Sequence, residues 1–326
     1  MMEKKMKEYG GYLPLELTSK KEYYHGEDVL PLNCGRSAIY YALRDANPSK
    51  VYIPHYNCQS VIEAVKRSGV KFEFYFLNED FEPIDIQLKK NEYILWVNYF
   101  GIFSNEKANK IIKQYKNVII DNTQAFYSKP NQEAYNIYSC RKFFGVSDGA
   151  YLIKKNLKIK NLEQATSYQT SMQLIKSIDL GTNEGYQEYL YAEDHIFNEA
   201  KRMSKFTQKI LSSIEYESIK TIRNRNFLNI HEKLKKINQL SDKITITLQT
   251  PMIYPLLVKD KYLRKKLIEN NIYVPQWWQY LIEQLEKNTF ESYLSSYLFP
   301  LPIDQRYNEE DMNTIAGFIL KECKYE

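Results

Sequence analysis

The sequence predicts an α/β protein with a mainly parallel sheet flanked by helices and a smaller α+β lobe at its C-terminal end. Between residues 51 and 155, short apolar segments alternate with segments of helical periodicity, a pattern typical of parallel strands joined by helices. Residues 93–100 form a nearly continuous apolar run, as expected of a strand buried on both faces. After residue 155 the alternation stops, and 326 residues are enough for two unequal lobes.

Each helix and strand predicted in the sheet region depends on a local feature of the sequence. A helix is predicted at residues 60–67, because apolar positions recur at helical spacing before Gly69 ends it, and another at residues 107–115, with Ser104 as its cap. Apolar and β-branched clusters predict strands at residues 51–54, 71–77, 93–100, 118–121, 136–139 and 150–153. Open sheets of this type bind ligands at the carboxyl ends of their strands, where the sequence places His55, Asn98, Asp121 and Ser139.

The second half of the chain predicts a connecting helix and a small lobe. Residues 188–213 read as one long helix, with an apolar stripe formed by Tyr189, Ala192, Ile196, Ala200 and Met203. Beyond it we expect strands at residues 252–258, 272–275 and 296–300 and helices at residues 262–270 and 309–321. We therefore divide the chain into an N-terminal arm (residues 1–30), a large domain with the connecting helix (residues 31–213) and a small C-terminal domain (residues 214–326). The two lobes should pack together, because no low-complexity linker separates them.

Composition excludes several classes of function. The net charge is +5, from 45 basic and 40 acidic residues, and no concentrated basic block predicts nucleic-acid binding. No apolar run is long enough for a membrane span or a secretory signal. The four cysteines are scattered, which indicates a reducing cytoplasm rather than a disulfide framework, and the four histidines are too dispersed to predict a metal site. Serine-hydrolase, P-loop and dinucleotide-binding motifs are absent from the sequence.

One pair of residues predicts a specific chemistry. Asp121 ends a predicted strand, and Lys142 follows about twenty residues later on a turn bounded by Gly145 and Gly149. A lysine amine can form a Schiff base with the aldehyde of pyridoxal 5′-phosphate, and an aspartate can keep the pyridine nitrogen protonated. Desolvation at this turn would lower the pKa of Lys142, which such a lysine needs. Alternatively, Asp121 is an ordinary turn residue and Lys142 a surface hairpin lysine, although a surface hairpin would not expose the two phenylalanines that follow.

A second segment suits a phosphate group. Gly35, Arg36 and Ser37 open a predicted helix, and a glycine and a hydroxyl at a helix N-terminus present free N–H groups and the positive end of the helix dipole. The alternative is that Ser37 is a simple N-cap. Gln124 lies three residues after Asp121 and can reach the same ligand, or it can be a surface residue.

Taken in order, these segments resemble the DegT/DnrJ/EryC1/StrS family of sugar aminotransferases, which have the fold-type I architecture of pyridoxal phosphate enzymes with a seven-stranded sheet. The most specific part is Asp121-Asn-Thr-Gln124 followed by Arg-Lys-Phe-Phe-Gly at residues 141–145. The resemblance spans nearly the whole chain and also includes residues 33–39, 52–58, 97–101, 262–275 and 298–311.

The resemblance implies a role for each matching residue. Lys142 would form the aldimine with the cofactor, Asp121 would face the pyridine nitrogen, and Gln124 would lie near the ring hydroxyl. Tyr56 would cover the ring. The phosphate would be held by Gly35, Arg36, Ser37, Ser139 and, from the partner subunit of a homodimer with shared sites, Asn183. Three features depart from the family: Asn98 stands where a histidine is usual, the interval from Ser139 to Lys142 is short, and the arginine usual after Asn183 is missing.

The resulting hypothesis is an aminotransferase that moves an amino group from an amino acid to a keto group of a nucleotide-linked sugar. The nucleotide-sugar assignment depends on the resemblance alone. Two alternatives stay open: another pyridoxal phosphate reaction, such as dehydration or elimination, and a non-catalytic family member that binds a ligand. Trp277, Trp278 and Arg306 can lie near the substrate, but tryptophan is often a core residue and arginine a surface residue.

Overall fold

A seven-stranded sheet forms the centre of the protein. In the computed structural model, which describes residues 9–159, 162–196, 199–244 and 249–323, the strands are β1 (Val29–Leu32), β2 (Lys50–Pro54), β3 (Lys71–Tyr75), β4 (Glu92–Val97), β5 (Val118–Asp121), β6 (Tyr135–Ser139) and β7 (Ala150–Ile153). Their order is β1-β7-β6-β5-β4-β2-β3, and β7 alone runs antiparallel to its neighbours. The predicted mainly parallel, seven-stranded sheet is confirmed.

Burial explains which strands stand at the centre. Every residue of β5, β6 and β7 is buried, whereas β3, at one edge, has three exposed residues out of five. The sheet is flanked by helices α1 (Gly35–Ala46), α2 (Gln59–Ser68) and α3 (Asn105–Tyr115). As predicted, α2 ends at Gly69, which has the left-handed φ of 76° that glycine accepts, and α3 begins directly after Ser104.

Strand β1 was not among the strands predicted from the sequence. This strand has four residues, and Pro31 within it argues against a central strand, since proline donates no ladder hydrogen bond. It lies at the edge of the sheet, paired with β7 alone, where proline is tolerated. Its carboxyl end leads into Asn33, Cys34 and the start of α1.

The predicted helix at residues 188–213 is wrong. Two shorter helices, α5 (Tyr186–His195) and α6 (Lys205–Leu211), occupy this region, and α4 (Met172–Asp179) precedes it. Between α5 and α6, Arg202 makes bridges with Leu32 and Gln164, so the chain is extended there. Asp148 fixes the break, because its carboxylate accepts hydrogen bonds from the backbone N–H of Ser204 at 2.8 Å and from its hydroxyl at 2.7 Å. A buried carboxylate distant in sequence therefore overrides the helical periodicity.

The C-terminal lobe packs helices around a two-stranded antiparallel sheet. It comprises α7 (Tyr216–Leu234), β8 (Tyr254–Leu257), α8 (Leu263–Glu269), α9 (Tyr280–Gln284), α10 (Phe290–Tyr297), β9 (Leu298–Leu301) and α11 (Glu309–Glu322). Helix α11 begins with a capping box between Asn308 and Asp311. The first two residues predicted for the strand at 296–300 belong to α10, whose first turn is capped by Thr289.

The strand predicted at residues 272–275 is also wrong. The segment pairs with no strand in the described part of the chain, and the carbonyls of Val274 and Pro275 instead accept hydrogen bonds from Arg264 at 3.0 and 2.6 Å. An arginine side chain thus replaces a strand partner.

One continuous apolar core joins the sheet to the C-terminal lobe, from Leu32 to Ile319, so the two lobes pack together as expected. The exact division into arm, large domain and small domain stays a prediction. Among the described helices, none has the length and apolar character needed to cross a bilayer.

Candidate active site

The carboxyl ends of the parallel strands meet at one edge of the sheet, as the sequence predicted. Asp121 is the last residue of β5 and Ser139 the last of β6, and Asn98 and His55 directly follow β4 and β2. The start of α1 lies at the same edge because β1 leads into it. Five strands therefore end at the predicted ligand-binding edge, although His55 and Asn98 are not among the residues that line the cleft there.

A cleft of about 380 Å³ opens at this edge. Six of the predicted site residues line it: Gly35, Arg36, Asp121, Gln124, Ser139 and Lys142. The rest of its lining comes mainly from the start of α2, from α5 and from the turn before α9, with Cys34, Ile39, Asn57, Cys58, Ser60, Val61, Thr123, Arg141, Glu193, Asp194, Ile196 and Trp278.

Thr123 links the two residues on which the predicted chemistry depends. The Nζ of Lys142 donates to Thr123 Oγ1 at 3.2 Å, and the backbone N–H of Thr123 donates to Asp121 Oδ1 at 2.9 Å. Asp121 is 2% exposed, at the floor of the cleft. Its other carboxylate oxygen accepts no hydrogen bond from a described residue. A buried carboxylate and a primary amine therefore face the same cleft, about twenty residues apart in sequence and joined by one threonine.

Lys142 itself is exposed, so the chain alone does not desolvate this side chain as expected. Its neighbours do what the sequence indicated: Phe143 and Phe144 are 2% and 4% exposed and pack against Phe126. The lysine is consequently held on a turn whose aromatic side chains are anchored in the core, which is not the arrangement of a surface hairpin.

The turn that carries Lys142 is rigidly attached at both ends. Gly149, with φ of 119°, donates its N–H to the carbonyl of Asn33 at 2.6 Å, and a Cβ there would lie 3.1 Å from Thr207 and 3.2 Å from Cys140. On the other side, the carbonyl of Phe143 accepts from Gln305 at 2.9 Å and from Arg223 at 3.5 Å. The small lobe therefore fixes the position of the Lys142 backbone.

The N-terminus of α1 faces the cleft, but Ser37 does not. Cys34 is the N-cap and has no side-chain capping bond, so the alternative that Ser37 is the N-cap is wrong. Ser37 is fully buried inside the first turn and donates its hydroxyl to Asn33 Oδ1 at 2.5 Å. Gly35 and Arg36 line the cleft, and Arg36 forms an ion pair with Glu63 at 3.3 Å.

Tyr56 is fully buried and does not line the cleft. Burial raises the pKa of its phenol, whose oxygen has no hydrogen-bond partner among the described residues. Trp278 lies over it, with ring centroids 4.3 Å apart and planes at 76°, and lines the cleft in its place. Gln124 lines the cleft while its Oε1 accepts from the N–H of Phe100 at 2.9 Å.

Asn183 lies apart from the cleft. It is an exposed residue between α4 and α5, in the segment where the sequence predicts a contribution to the partner subunit.

Several cleft residues were not predicted. Arg141 precedes Lys142 and forms an ion pair with Glu193 of α5, which closes one side of the cleft. The Nδ2 of Asn57 is buried without a hydrogen-bond partner among the described residues, so the cleft wall retains an unused donor. The position of Asn57 after the Pro54 strand end could have indicated this residue, whereas the pairing of Arg141 with Glu193 has no local signal in the sequence.

The cleft continues outwards between the two lobes. Two adjoining cavities have volumes of about 500 and 510 Å³, and Arg141, Lys142 and Arg223 line both of them. Asp304 also lines both, and the guanidinium of Arg306 donates to its carboxylate at 2.8 and 2.9 Å. The entrance to Lys142 is therefore rich in arginine.

Comparisons with known proteins identify the fold. No protein-family model matches the sequence, and no curated protein is similar to it in sequence. Solved structures do match. PseC of Helicobacter pylori, an aminotransferase of pseudoaminic acid biosynthesis, is 14% identical with a TM-score of 0.60, over 90% of this chain and 86% of that one.

Two further structures agree. A DegT DnrJ EryC1 StrS aminotransferase of Brucella abortus is 14% identical, with a TM-score of 0.59 over 90% of this chain and 86% of that one. NtdA of Bacillus subtilis, solved with its bound cofactor PMP, is 16% identical, with a TM-score of 0.60 over 88% of this chain and 72% of that one. The chain therefore has the fold of these aminotransferases, as the resemblance implied.

Proposed function

We propose that this protein is a pyridoxal phosphate-dependent sugar aminotransferase. The observation that carries the proposal is the pairing of Asp121 and Lys142 through Thr123 at the floor of one cleft. The fold of the similar structures supports it, because they include aminotransferases, some of them named as sugar aminotransferases, and NtdA holds PMP. Fold alone does not specify function, so the site residues are the stronger argument.

The residues of the cleft fit the cofactor. Asp121 is a largely buried residue with one carboxylate oxygen that accepts no hydrogen bond from the described residues, which suits the N–H of a protonated pyridine ring. The first turn of α1, at Gly35 and Arg36, offers backbone N–H groups to a phosphate, and the hydroxyl of Ser139 lines the same cleft. Gln124 can contact the ring substituents from the Asp121 side. Ser37 would contribute only indirectly, by holding the side chain of Asn33, since its hydroxyl already donates to Asn33 Oδ1.

When bound, the cofactor supplies an electron sink that makes an amino group transferable between two carbon skeletons. The chain contributes the groups around it. Lys142 would attach the cofactor through its amine and, once released, move a proton as base and acid, while Thr123 orients the amine. Asp121 would hold the ring nitrogen in its charged form. Covering of the cleft by a partner subunit and by substrate would provide the desolvation that the single chain does not give to Lys142.

For the acceptor, we propose a keto group of a nucleotide-linked sugar, and for the donor an amino acid. Arg141 and Arg306 line the outer part of the cleft, and an anionic substrate would bind there by sharing these arginines with their present partners, Glu193 and Asp304. Both a diphosphate and a donor carboxylate are anions that arginine binds well. Other similar structures bear the name sugar aminotransferase, which supports a sugar as the acceptor.

We further propose a homodimer with shared sites. The segment from residue 168 to residue 191 exposes many large apolar side chains, and a monomer rarely leaves such a patch uncovered. They are Tyr168, Met172, Ile175, Ile178, Leu180, Tyr186, Tyr189, Leu190 and Tyr191. Asn183 lies within this segment, so a second copy that covers it would also bring the partner's Asn183 towards a cleft. The cytoplasm is the proposed location, since the four cysteines are scattered in the sequence and Cys34, Cys58 and Cys140 form no disulfide.

Reduction with borohydride tests the cofactor and its lysine. Purified protein with pyridoxal phosphate should show a visible absorbance band that borohydride removes, with the adduct mapped by mass spectrometry to Lys142. Lys142→Ala should lose the adduct, and the exposed Lys113→Ala should keep it. A wild type that takes up no cofactor contradicts the proposal.

Assay of the loaded protein then separates the reactions. With an amino donor and a keto-sugar nucleotide, transamination produces an amino sugar and a keto acid. Release of ammonia or water instead identifies an elimination or a dehydration, and no turnover with any donor indicates a non-catalytic binding protein.

A further inference from the structure

The inner cleft has a single aromatic wall. Among the described residues that line it, Trp278 is the one aromatic side chain. The end of β2 contributes Asn57 and Cys58, while Tyr56, which sequence reasoning placed over the cofactor, is fully buried. An aromatic face in this cleft therefore comes from the small lobe, not from the strand end.

Neighbouring rings place Trp278 and Trp277 in different parts of the cleft. Trp278 rests on Tyr56, and its ring lines both the inner cleft and the outer cavity. Trp277 stacks on Phe100, with centroids 5.8 Å apart and planes at 21°, and lines the outer cavity without reaching the inner cleft. The two adjacent tryptophans thus provide a natural comparison.

The backbone at Trp278 is held in an unfavourable conformation. Its φ is 52°, in the left-handed region that a bulky residue rarely adopts. The turn is anchored on both sides, since Arg264 donates to the carbonyl of Pro275 at 2.6 Å and the Tyr280 hydroxyl donates to the carbonyl of Asn57 at 2.6 Å. Strain of this kind persists where surrounding contacts fix it, and it is found at ligand sites more than elsewhere.

We propose that Trp278 is the residue that covers the cofactor ring in this protein, in the role that the resemblance assigned to Tyr56. The inference depends on the proposed function. A planar cationic ring is stabilised by the face of an aromatic side chain, and indole is the strongest of these. Tyr56 then acts as a positioning residue, because its buried ring supports the indole from below.

Titration of the protein with pyridoxal phosphate tests this role. Trp278→Ala should raise the dissociation constant about tenfold, the scale of an aromatic pair, and should reduce the visible circular dichroism of the bound cofactor. Trp278→Phe should restore most of both signals. Trp278→Leu, which keeps apolar bulk over Tyr56 without an aromatic face, should resemble the alanine variant. Trp277→Phe serves as the matched neighbour and should leave the dissociation constant within about twofold.

The outcomes separate this inference from the function on which it depends. Borohydride trapping at saturating cofactor should still label Lys142 in every Trp278 variant. If the wild type and all Trp278 variants bind with equal affinity and equal circular dichroism, Trp278 does not cover the ring, although the enzyme proposal stands. A leucine variant that behaves like the wild type would show that Trp278 is only a packing residue, and a wild type that binds no cofactor overturns both proposals.

Discussion

Arg223 shows how a single buried residue can support the site from a distance. It is 2% exposed, and burial lowers the pKa of its guanidinium to about 10. The guanidinium donates to Gln305 Oε1 at 3.0 Å and to the carbonyls of Met252 at 3.1 Å and Phe143 at 3.5 Å. It also lies 4.7 Å from the centroid of the Phe143 ring. One side chain therefore joins α7 and the small lobe to the turn that carries Lys142.

We expect Arg223→Ala to lower the free energy of unfolding by about 2–4 kcal/mol, because several buried or half-buried acceptors lose a donor. Chemical denaturation measures this loss. Arg225→Ala, an exposed arginine two residues away on the same helix, should change the stability by roughly 0.5 kcal/mol. Equal effects of the two substitutions would contradict the bridging role of Arg223.

At the scale of elements, a buried carboxylate ties α10 to the segment that follows β3. Glu291, in the first turn of α10, is 1% exposed and accepts from the N–H of Leu77 at 2.6 Å. No basic side chain pairs with it among the described residues. Burial raises the pKa of this carboxyl, although the hydrogen bond from Leu77 partly opposes the shift. The link between the lobes thus includes a charge that is costly to bury.

Glu291 makes stability depend on pH in a defined direction. Because its pKa is higher in the folded than in the unfolded protein, the folded state binds the proton more tightly, and the contribution of Glu291 falls as pH rises from the unfolded pKa through the folded one. Glu291→Gln keeps an acceptor for Leu77 and should therefore stabilise the protein by roughly 1 kcal/mol at pH 8. The gain should disappear below about pH 4, where the wild-type carboxyl is protonated in both states.

Urea denaturation at pH 8 and near pH 4 measures this difference. Glu286→Gln, an exposed glutamate in the turn before α10, is the matched control and should show no such pH-dependent gain. A glutamine variant that is less stable than the wild type at pH 8 would mean that the Leu77 hydrogen bond needs the full charge.

At the scale of the whole molecule, the exposed segment from residue 168 to residue 191 predicts association. Ile178 and Leu180 are 84% and 63% exposed, so Ile178→Asp combined with Leu180→Asp should leave the fold of each chain intact. If the segment is a dimer interface, the pair of substitutions should weaken association at least about tenfold, the equivalent of 1.4 kcal/mol. Sedimentation velocity over a range of concentrations measures this weakening. Tyr262→Asp is the control, because Tyr262 is also exposed but lies on the small lobe, outside this segment.

Mixing variants tests whether the sites are shared. If Asn183 acts in the partner's cleft, Lys142→Ala and Asn183→Ala subunits should form a hybrid dimer with one intact site. Activity that reappears on mixing two poorly active variants supports this arrangement. Activity that stays at the level of the separate variants would place Asn183 outside the partner's site.

The strand-and-helix part of the fold could be predicted because its causes are local. Apolar runs specified β2, β4, β5, β6 and β7, and strand direction then placed Asp121 and Ser139 at one edge. The anchored position of Phe143 and Phe144 likewise followed from their apolar character. The long helix at residues 188–213 could not be excluded in this way, because the carboxylate of Asp148, far away in sequence, captures Ser204 and interrupts it.

The sequence by itself therefore determined the fold class and the two residues, Asp121 and Lys142, that define the candidate chemistry. Only the tertiary structure decided what surrounds them. It buried Tyr56 and Ser37, brought Trp278 and Glu193 to the cleft, and left Lys142 exposed. The physical reason is the distance in sequence between the residues that decide each feature. Strands and turns follow from neighbouring residues, whereas a cleft wall depends on which residues, far apart in sequence, meet when the two lobes share one core.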